Sequence, residues 1–131
     1  MRRMLILLSL LLAIGWADRA KSDTLEVLHT FTIGDGQNPQ AGLIMDATGN
    51  LYGTTISGGA LGFGTVFRLT PNASKTAWTE TVLHSFCSQR QGVDCLDGEN
   101  PREAELLIDA AGNLYGTTFS GGRRGAASCS S

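Results

Sequence analysis

An internal repeat is the feature that most constrains the fold of this chain. The segment DATGNLYGTT at residues 46–55 returns as DAAGNLYGTT at residues 109–118, 63 positions later. The match extends without gaps over residues 43–59 and 106–122, where 13 of 17 positions are identical. Because repetition at such a spacing is typical of architectures built from stacked units, the sequence predicts a repeat protein.

Two shorter matches define the rest of the repeating unit. The segments LEVLHTF (residues 25–31) and ETVLHSF (residues 80–86) share four of seven positions. The segment DGQNP at residues 35–39 returns as DGENP at residues 97–101. The chain therefore holds one complete unit, preceded by the end of another and followed by the start of a third.

The complete unit is predicted to form four short β-strands. They cover residues 43–45, 51–55, 65–69 and 78–86, with a loop at residues 71–75. The third segment is rich in residues that fit a pleated sheet, and turn or loop segments separate the four strands. No stretch after the N-terminal apolar run has the period of an amphipathic helix.

The first two strands of each unit are joined by a tight turn with a repeated composition. Aspartate suits the first turn position, because its carboxylate accepts hydrogen bonds from nearby backbone N–H groups, and glycine accepts a positive φ. The residues assigned to this structural role are Asp46, Gly49 and Asn50 in the first copy and Asp109, Gly112 and Asn113 in the second.

The predicted strands carry apolar residues on both faces, as expected for a sheet covered on two sides. The predicted fold class is all-β, with the four-stranded antiparallel blades of a β-propeller; a β-sandwich is the alternative. A propeller needs about four blades or more, so residues 18–122 amount to an incomplete propeller with strand edges open to self-association. No third strand is recognisable in the atypical tail, residues 123–131.

The N-terminus is typical of a secretory signal peptide. Arg2 and Arg3 precede about ten apolar residues, and Gly15 and Ala17 offer small residues for cleavage after position 17. The apolar run is shorter than the roughly 20 residues of a membrane span; the alternative is a buried helix. Without residues 1–17, 8 of the 10 Lys and Arg remain against 12 Asp and Glu, which argues against a nucleic-acid partner.

The cysteines are better explained by a disulfide than by a metal. Cys87 and Cys95 flank or lie within a seven-residue insertion between the HSF and DGENP segments of the second unit. Further cysteines or histidines at short spacing, which a zinc site would require, are missing there. A local Cys87–Cys95 bridge is therefore predicted, and Cys129 is left as the odd thiol.

Other polar residues are given structural roles. His29 and His84 occupy equivalent repeat positions and are not expected to converge with carboxylates, as a metal site would require. One aspartate per turn, Asp46 or Asp109, supplies too few oxygens for calcium. The sequence lacks a nucleophile elbow and a phosphate-loop lysine spacing. No catalytic, metal-binding or cofactor-binding residues are therefore predicted.

The ordered set LIMDATGNLYGTT, GTVFRLTP, TETVLHSF and DGENP resembles the GloVer tandem repeat of secreted bacterial proteins, over residues 25–122. The Asp-x-x-Gly-Asn-Leu-Tyr core is more distantly similar to NHL-type propellers. The resemblance implies an exported propeller-like array, and no established catalytic residues come with it.

These features favour a secreted, non-enzymatic repeat protein, or a fragment of one, that binds a glycan or another protein outside the cell. Two alternatives remain. One is a fragment of an NHL-like propeller enzyme, a hydrolase or lyase, and the other is a non-functional truncated product. An enzyme of that kind would need unlike polar residues at equivalent positions of its units.

We predict that the exported protein begins at Asp18, because the charged and apolar segments before it match a cleavable signal. N-terminal sequencing of protein recovered outside the cytoplasm should read Asp-Arg-Ala-Lys. Recovery of the chain only from the cytoplasm, with residues 1–17 intact, would contradict the signal assignment.

Overall fold

The computed structural model describes residues 25–102, 105–122 and 129–130. The predicted signal peptide, residues 1–17, lies outside the described residues. All the regular secondary structure in the described part of the chain is β-strand, and this confirms the all-β fold class. Within the same residues no sheet closes on itself.

The complete repeat unit forms one antiparallel sheet with strand order β1-β2-β3-β4, which confirms the four predicted strands. The strands are β1 (Ile44–Met45), β2 (Leu51–Thr55), β3 (Thr65–Pro71) and β4 (Trp78–Ser85). The pairing of β3 with β4 contains a bulge between Val66 and Phe67. Such bulges bend a strand and increase its twist.

The third unit forms a smaller sheet, β7-β8-β9, from Leu107–Ile108, Leu114–Thr117 and Cys129–Ser130. Strand β9 pairs antiparallel with β8, where β3 lies in the complete unit. The expectation that the tail lacks a third strand is therefore wrong. Backbone groups make the hydrogen bonds of a sheet, so two residues without a strand-like pattern are enough to pair with an open edge.

The match of residues 25–31 to residues 80–86 predicts that they form the outer strand of the preceding unit, and this prediction is also wrong. The segment has no strand assignment, although it matches β4 in sequence. Strand β4 exists because β3 pairs with it through seven residue pairs. Among the described residues, no strand offers residues 25–31 an equivalent edge.

Both faces of the four-stranded sheet are covered by neighbouring units. On one face, Tyr52, Val66 and Phe86 form the buried core with Leu106 of the third unit. On the other face, the fully buried Phe67 packs edge-on against Phe31 of the first unit, with 4.7 Å between ring centroids. The apolar composition of both strand faces is thereby explained.

Each unit is joined to the next through the repeated Asp-Gly-x-Asn-Pro segment, here called the linker (residues 35–39 and 97–101). Gln37 of the first linker pairs with Ser57 through N–H···O bonds of 2.7 and 3.2 Å. Glu99 of the second linker pairs with Ser120 through bonds of 2.8 and 3.3 Å. The linker therefore adds a short backbone bridge to the segment that follows the second strand of the next unit.

The insertion in the second unit forms a hairpin of its own. Its strands are β5 (Arg90–Gln91) and β6 (Asp94–Cys95), which pair antiparallel. Cys87 and Cys95 form a disulfide with 4.5 Å between their Cα atoms, which confirms the predicted bridge. Both cysteines are buried, so the disulfide anchors the base of a hairpin whose other residues are exposed.

Gly64 and Gly62 provide a matched test of the turn between β2 and β3. Both have a positive φ, 95° and 83° respectively. A Cβ at Gly64 would collide with the carbonyl oxygen of Thr55 and lie 2.9 Å from that of Ile56. A Cβ at Gly62 would meet nothing within 4 Å.

We expect Gly62→Ala to lower the free energy of unfolding by about 1 kcal/mol, the cost of left-handed backbone in alanine. Gly64→Ala should cost about 3 kcal/mol in all, since it adds a backbone collision to the same strain. Urea unfolding of the two variants measures the difference. Equal losses would show that the collision relaxes at no cost.

Candidate functional site

The aspartate of each repeat turn organises the side chains around it. Asp46 Oδ1 accepts hydrogen bonds from the backbone N–H groups of Thr48 and Asn50, each at 2.9 Å. Asp46 Oδ2 accepts from Asn50 Nδ2 at 2.7 Å and from the Tyr52 hydroxyl at 3.0 Å. One carboxylate therefore holds the turn and the first residues of β2 together.

The second turn repeats this geometry. Asp109 accepts hydrogen bonds from the backbone N–H groups of Ala111 and Asn113, from Asn113 Nδ2 at 2.8 Å and from the Tyr115 hydroxyl at 3.0 Å. Gly49 and Gly112 close the two turns with φ of 91° and 87°. The repeated Asp, Gly, Asn and Tyr of the motif thus belong to one local hydrogen-bond network.

These hydrogen bonds favour the ionised aspartates. Those from Asn50, foremost its side-chain amide, hold the pKa of Asp46 well below its usual range. Those from Asn113 likewise lower the pKa of Asp109. The network therefore depends on deprotonated carboxylates, and it occupies oxygens that a calcium ion would need.

Each histidine lies against the aspartate of the linker that follows it. His29 Nε2 is 3.0 Å from Asp35 Oδ2, and His84 Nε2 is 3.2 Å from Asp97 Oδ2. The expectation that the histidines stay apart from carboxylates is wrong, because each linker folds back onto the histidine-containing segment that precedes it. The sequence signal was the joint recurrence of the histidine and the linker aspartate.

The linker aspartates share a second set of contacts. Asp35 Oδ1 accepts hydrogen bonds from the backbone N–H and the hydroxyl of Thr32, at 2.6 and 2.9 Å. Asp97 accepts from the backbone N–H and hydroxyl of Ser88, at 3.0 and 2.6 Å. Burial alone would raise the pKa of each aspartate, but these hydrogen bonds outweigh it and lower both pKa values.

A second acidic group, Glu80, joins the first histidine. Ligand atoms of His29, Asp35 and Glu80 all lie within 4.8 Å of one another, and all three residues are half-buried. Burial, reinforced by the nearby Asp35 charge, raises the pKa of Glu80. Cys87, Cys95 and Glu99 also lie close together, but the two sulfur atoms are used in the disulfide.

A cleft of about 670 Å³ lies between the two linkers. Its described lining consists of three polar and two apolar side chains: Asn38, Gln40, Arg102, Ile56 and Phe119. The Arg102 guanidinium carbon is 4.8 Å from the centroid of the Phe119 ring. Phe119 is 68% exposed, so an aromatic ring and a cation stand together at the edge of an accessible cleft.

Four of the five described residues that line the cleft occupy repeat positions that differ between units. Gln40 and Arg102 each follow the Asn-Pro of a linker, and Ile56 and Phe119 each follow the Gly-Thr-Thr of a second strand. The identical repeat positions, on which the sequence-based assignments rest, do not reveal the cleft, whereas its lining includes two equivalent pairs that differ, Gln40/Arg102 and Ile56/Phe119. Those differences were the available signal.

The turn network predicts a defined response to acid. A group whose pKa is lowered in the folded state stabilises the fold above its unfolded pKa, about 3.9 for aspartate, and loses that contribution as the pH falls. We expect Asp46→Asn to be less stable than the wild type at pH 7, and its stability to change less between pH 5 and pH 3. Urea unfolding at the two pH values measures this.

Asp94→Asn is the control for this prediction. Asp94 is exposed, and within the described residues its side chain makes no hydrogen bond. Its substitution should change the free energy of unfolding at pH 7 much less than Asp46→Asn does. An Asp46→Asn protein with the acid sensitivity of the wild type would show that the turn carboxylate does not contribute to it.

The chain matches the family described as the Gloeobacter/Verrucomicrobia repeat over residues 18–130. No curated protein and no solved structure matches it. Among the described residues, no helix has the length and hydrophobicity needed to span a membrane. The family match covers most of the chain and includes both copies of the repeat, and the protein therefore belongs to the Gloeobacter/Verrucomicrobia repeat family.

Proposed function

We propose that this protein is an exported, non-enzymatic binding protein that holds a glycan in the cleft between its two linkers. The observation that carries the proposal is that residues differing between units meet at one accessible cleft. Repeat proteins commonly bind through surfaces built from equivalent positions of neighbouring units. Variation at such positions changes the ligand while the stacking of the units is kept.

The chemistry of the cleft favours a carbohydrate that carries carboxylate groups. The exposed Phe119 ring offers an apolar platform for the face of a sugar. The amides of Asn38 and Gln40 offer donors and acceptors for hydroxyl groups, and Arg102 offers a fork of donors for a carboxylate. The described lining consists of groups that bind and orient, which supports binding rather than catalysis. The volume lies within the usual range of small-ligand sites, roughly 300–1,000 Å³.

Export is supported by two independent features. Disulfides persist mainly in oxidising compartments outside the cytoplasm, and Cys87 and Cys95 are bridged. The family match begins at residue 18, directly after the predicted cleavage position. The blade-like arrangement proposed for the units is supported by the four-stranded antiparallel sheet and by the way neighbouring units cover its faces.

We predict that the purified protein binds oligosaccharides containing uronic acids, and that Phe119→Ala and Arg102→Ala each weaken binding by at least about tenfold, or 1.4 kcal/mol. Isothermal titration with oligogalacturonate and with its neutral galactose counterpart measures affinity and charge preference. Arg102→Ala should remove the preference for the acidic sugar, because the guanidinium is the charged group of the described lining.

Val93→Ala is the matched control, since Val93 is 94% exposed on the disulfide-bonded hairpin rather than in the cleft. It should bind as the wild type does. A wild-type protein that binds neither sugar would overturn the glycan proposal. A Phe119→Ala protein that binds the sugars as tightly as the wild type does would overturn it as well. Capture of a protein partner in a manner dependent on Phe119 would favour protein recognition instead.

A further inference from the structure

His29, Asp35 and Glu80 bring three metal-binding side chains together from two repeat units. His29 and Asp35 belong to the first unit and its linker, whereas Glu80 lies on β4 of the complete unit. Their ligand atoms lie within 4.8 Å of one another, and the His29 Nε2 to Asp35 Oδ2 distance is 3.0 Å. Two ligands of a tetrahedral zinc ion are about 3.3 Å apart, given zinc–ligand bonds of about 2.0–2.1 Å. Small side-chain movements would therefore bring the three atoms around one ion.

Two of these side chains are already positioned by other contacts. Thr32 donates two hydrogen bonds to Asp35 Oδ1, which leaves Oδ2 directed toward His29. The His29 ring packs edge-on against Phe31, with 4.7 Å between ring centroids. Outer contacts of this kind orient the ligands of metal sites.

The third side chain of the group, Glu80, has a carboxylate oxygen that lacks a hydrogen-bond donor among the described residues. Its Oε1 atom is buried and, within the described part of the chain, has no hydrogen-bond partner. Among the described residues, no lysine or arginine forms a salt bridge with Asp35 or Glu80, and the ion pair at this cluster is His29–Asp35. Burying a carboxylate without a partner is costly, and a divalent cation would balance both acidic groups.

We propose that His29, Asp35 and Glu80 form a zinc site that fastens the first repeat unit to β4 of the complete unit. One imidazole and two carboxylates, with water in the fourth position, form a ligand set that zinc accepts. Calcium and magnesium prefer oxygen ligands, and calcium needs six or more, so a site containing an imidazole selects against both. Bound zinc joins residues that the sequence separates by about 50 positions, and its role is to stabilise the contact between units.

The second repeat supplies an internal control for this site. His84 and Asp97 form the equivalent pair at 3.2 Å. Within the described residues, no third metal-binding side chain lies close enough to join this pair. A histidine–aspartate pair without the glutamate should bind zinc much more weakly.

The test uses the purified chain in a Cys129→Ser background, which removes the odd thiol as a competing zinc ligand. The protein is freed of metal with a chelator and titrated with zinc chloride by calorimetry. We expect one zinc per chain and a rise in melting temperature, with magnesium and calcium giving neither. Glu80→Gln should weaken zinc binding by at least about tenfold, because the loss of an outer-shell contact alone already has an effect of that size at metal sites. His84→Gln should bind zinc as tightly as the background protein.

Two results would overturn the zinc site. One is a background protein that binds no zinc. The other is a Glu80→Gln protein that folds and binds zinc unchanged. If Glu80→Gln does not fold, Asp35→Asn replaces it, because the amide side chain keeps an oxygen that accepts from Thr32 and loses the charged ligand toward His29. Unchanged zinc affinity in that variant would equally reject the site, and neither variant alters the cleft of the proposed glycan site.

Discussion

The packing of one repeat unit against the next is the interaction on which the rest of this structure depends. A single four-stranded sheet cannot bury apolar residues on both of its faces, so it needs a neighbour on each side. Phe31 of the first unit covers Phe67, and Leu106 of the third unit completes the core around Tyr52 and Phe86. The linkers, the histidine–aspartate pairs and the cleft all lie at these boundaries, which is why the linker residues recur along with the strands.

The second unit shows how strongly this boundary is retained. His29 and Asp35 are six positions apart, whereas His84 and Asp97 are thirteen apart, yet the contact distances are 3.0 and 3.2 Å. The insertion is accommodated by the β5–β6 hairpin, and the Cys87–Cys95 disulfide closes the base of this hairpin. Because the disulfide holds the two ends of the insertion close together, the second linker begins at the same position relative to its histidine as the first linker does. The disulfide therefore protects the contact between units as well as the hairpin.

Features governed by local chemistry could be predicted from the sequence, and features governed by distant partners could not. The strand β2 and its turn follow from residues close in the chain, because Asp46 collects donors from positions 48, 50 and 52. The disulfide was likewise predictable from a short insertion with two cysteines. By contrast, residues 25–31 match β4 in sequence but lack a neighbouring strand, and β9 pairs through its backbone without a strand-like pattern. The approach of Glu80 to His29 depends on the stacking of units, which no local pattern encodes.

The linker geometry also explains how the lining of the cleft can vary without disturbing the packing of the units. The backbone N–H of Ile56 donates to the carbonyl oxygen of Asn38 at 3.3 Å, and that of Phe119 donates to the carbonyl oxygen of Asn100 at 3.2 Å. These bonds use only main-chain atoms, so they hold position 56 and position 119 in place whatever side chain each carries. The two side chains differ, and both border the cleft, whereas the threonines just before them are identical and buried. A change of side chain at position 56 or 119 therefore alters the lining of the cleft while each unit keeps its main-chain contacts with its neighbours.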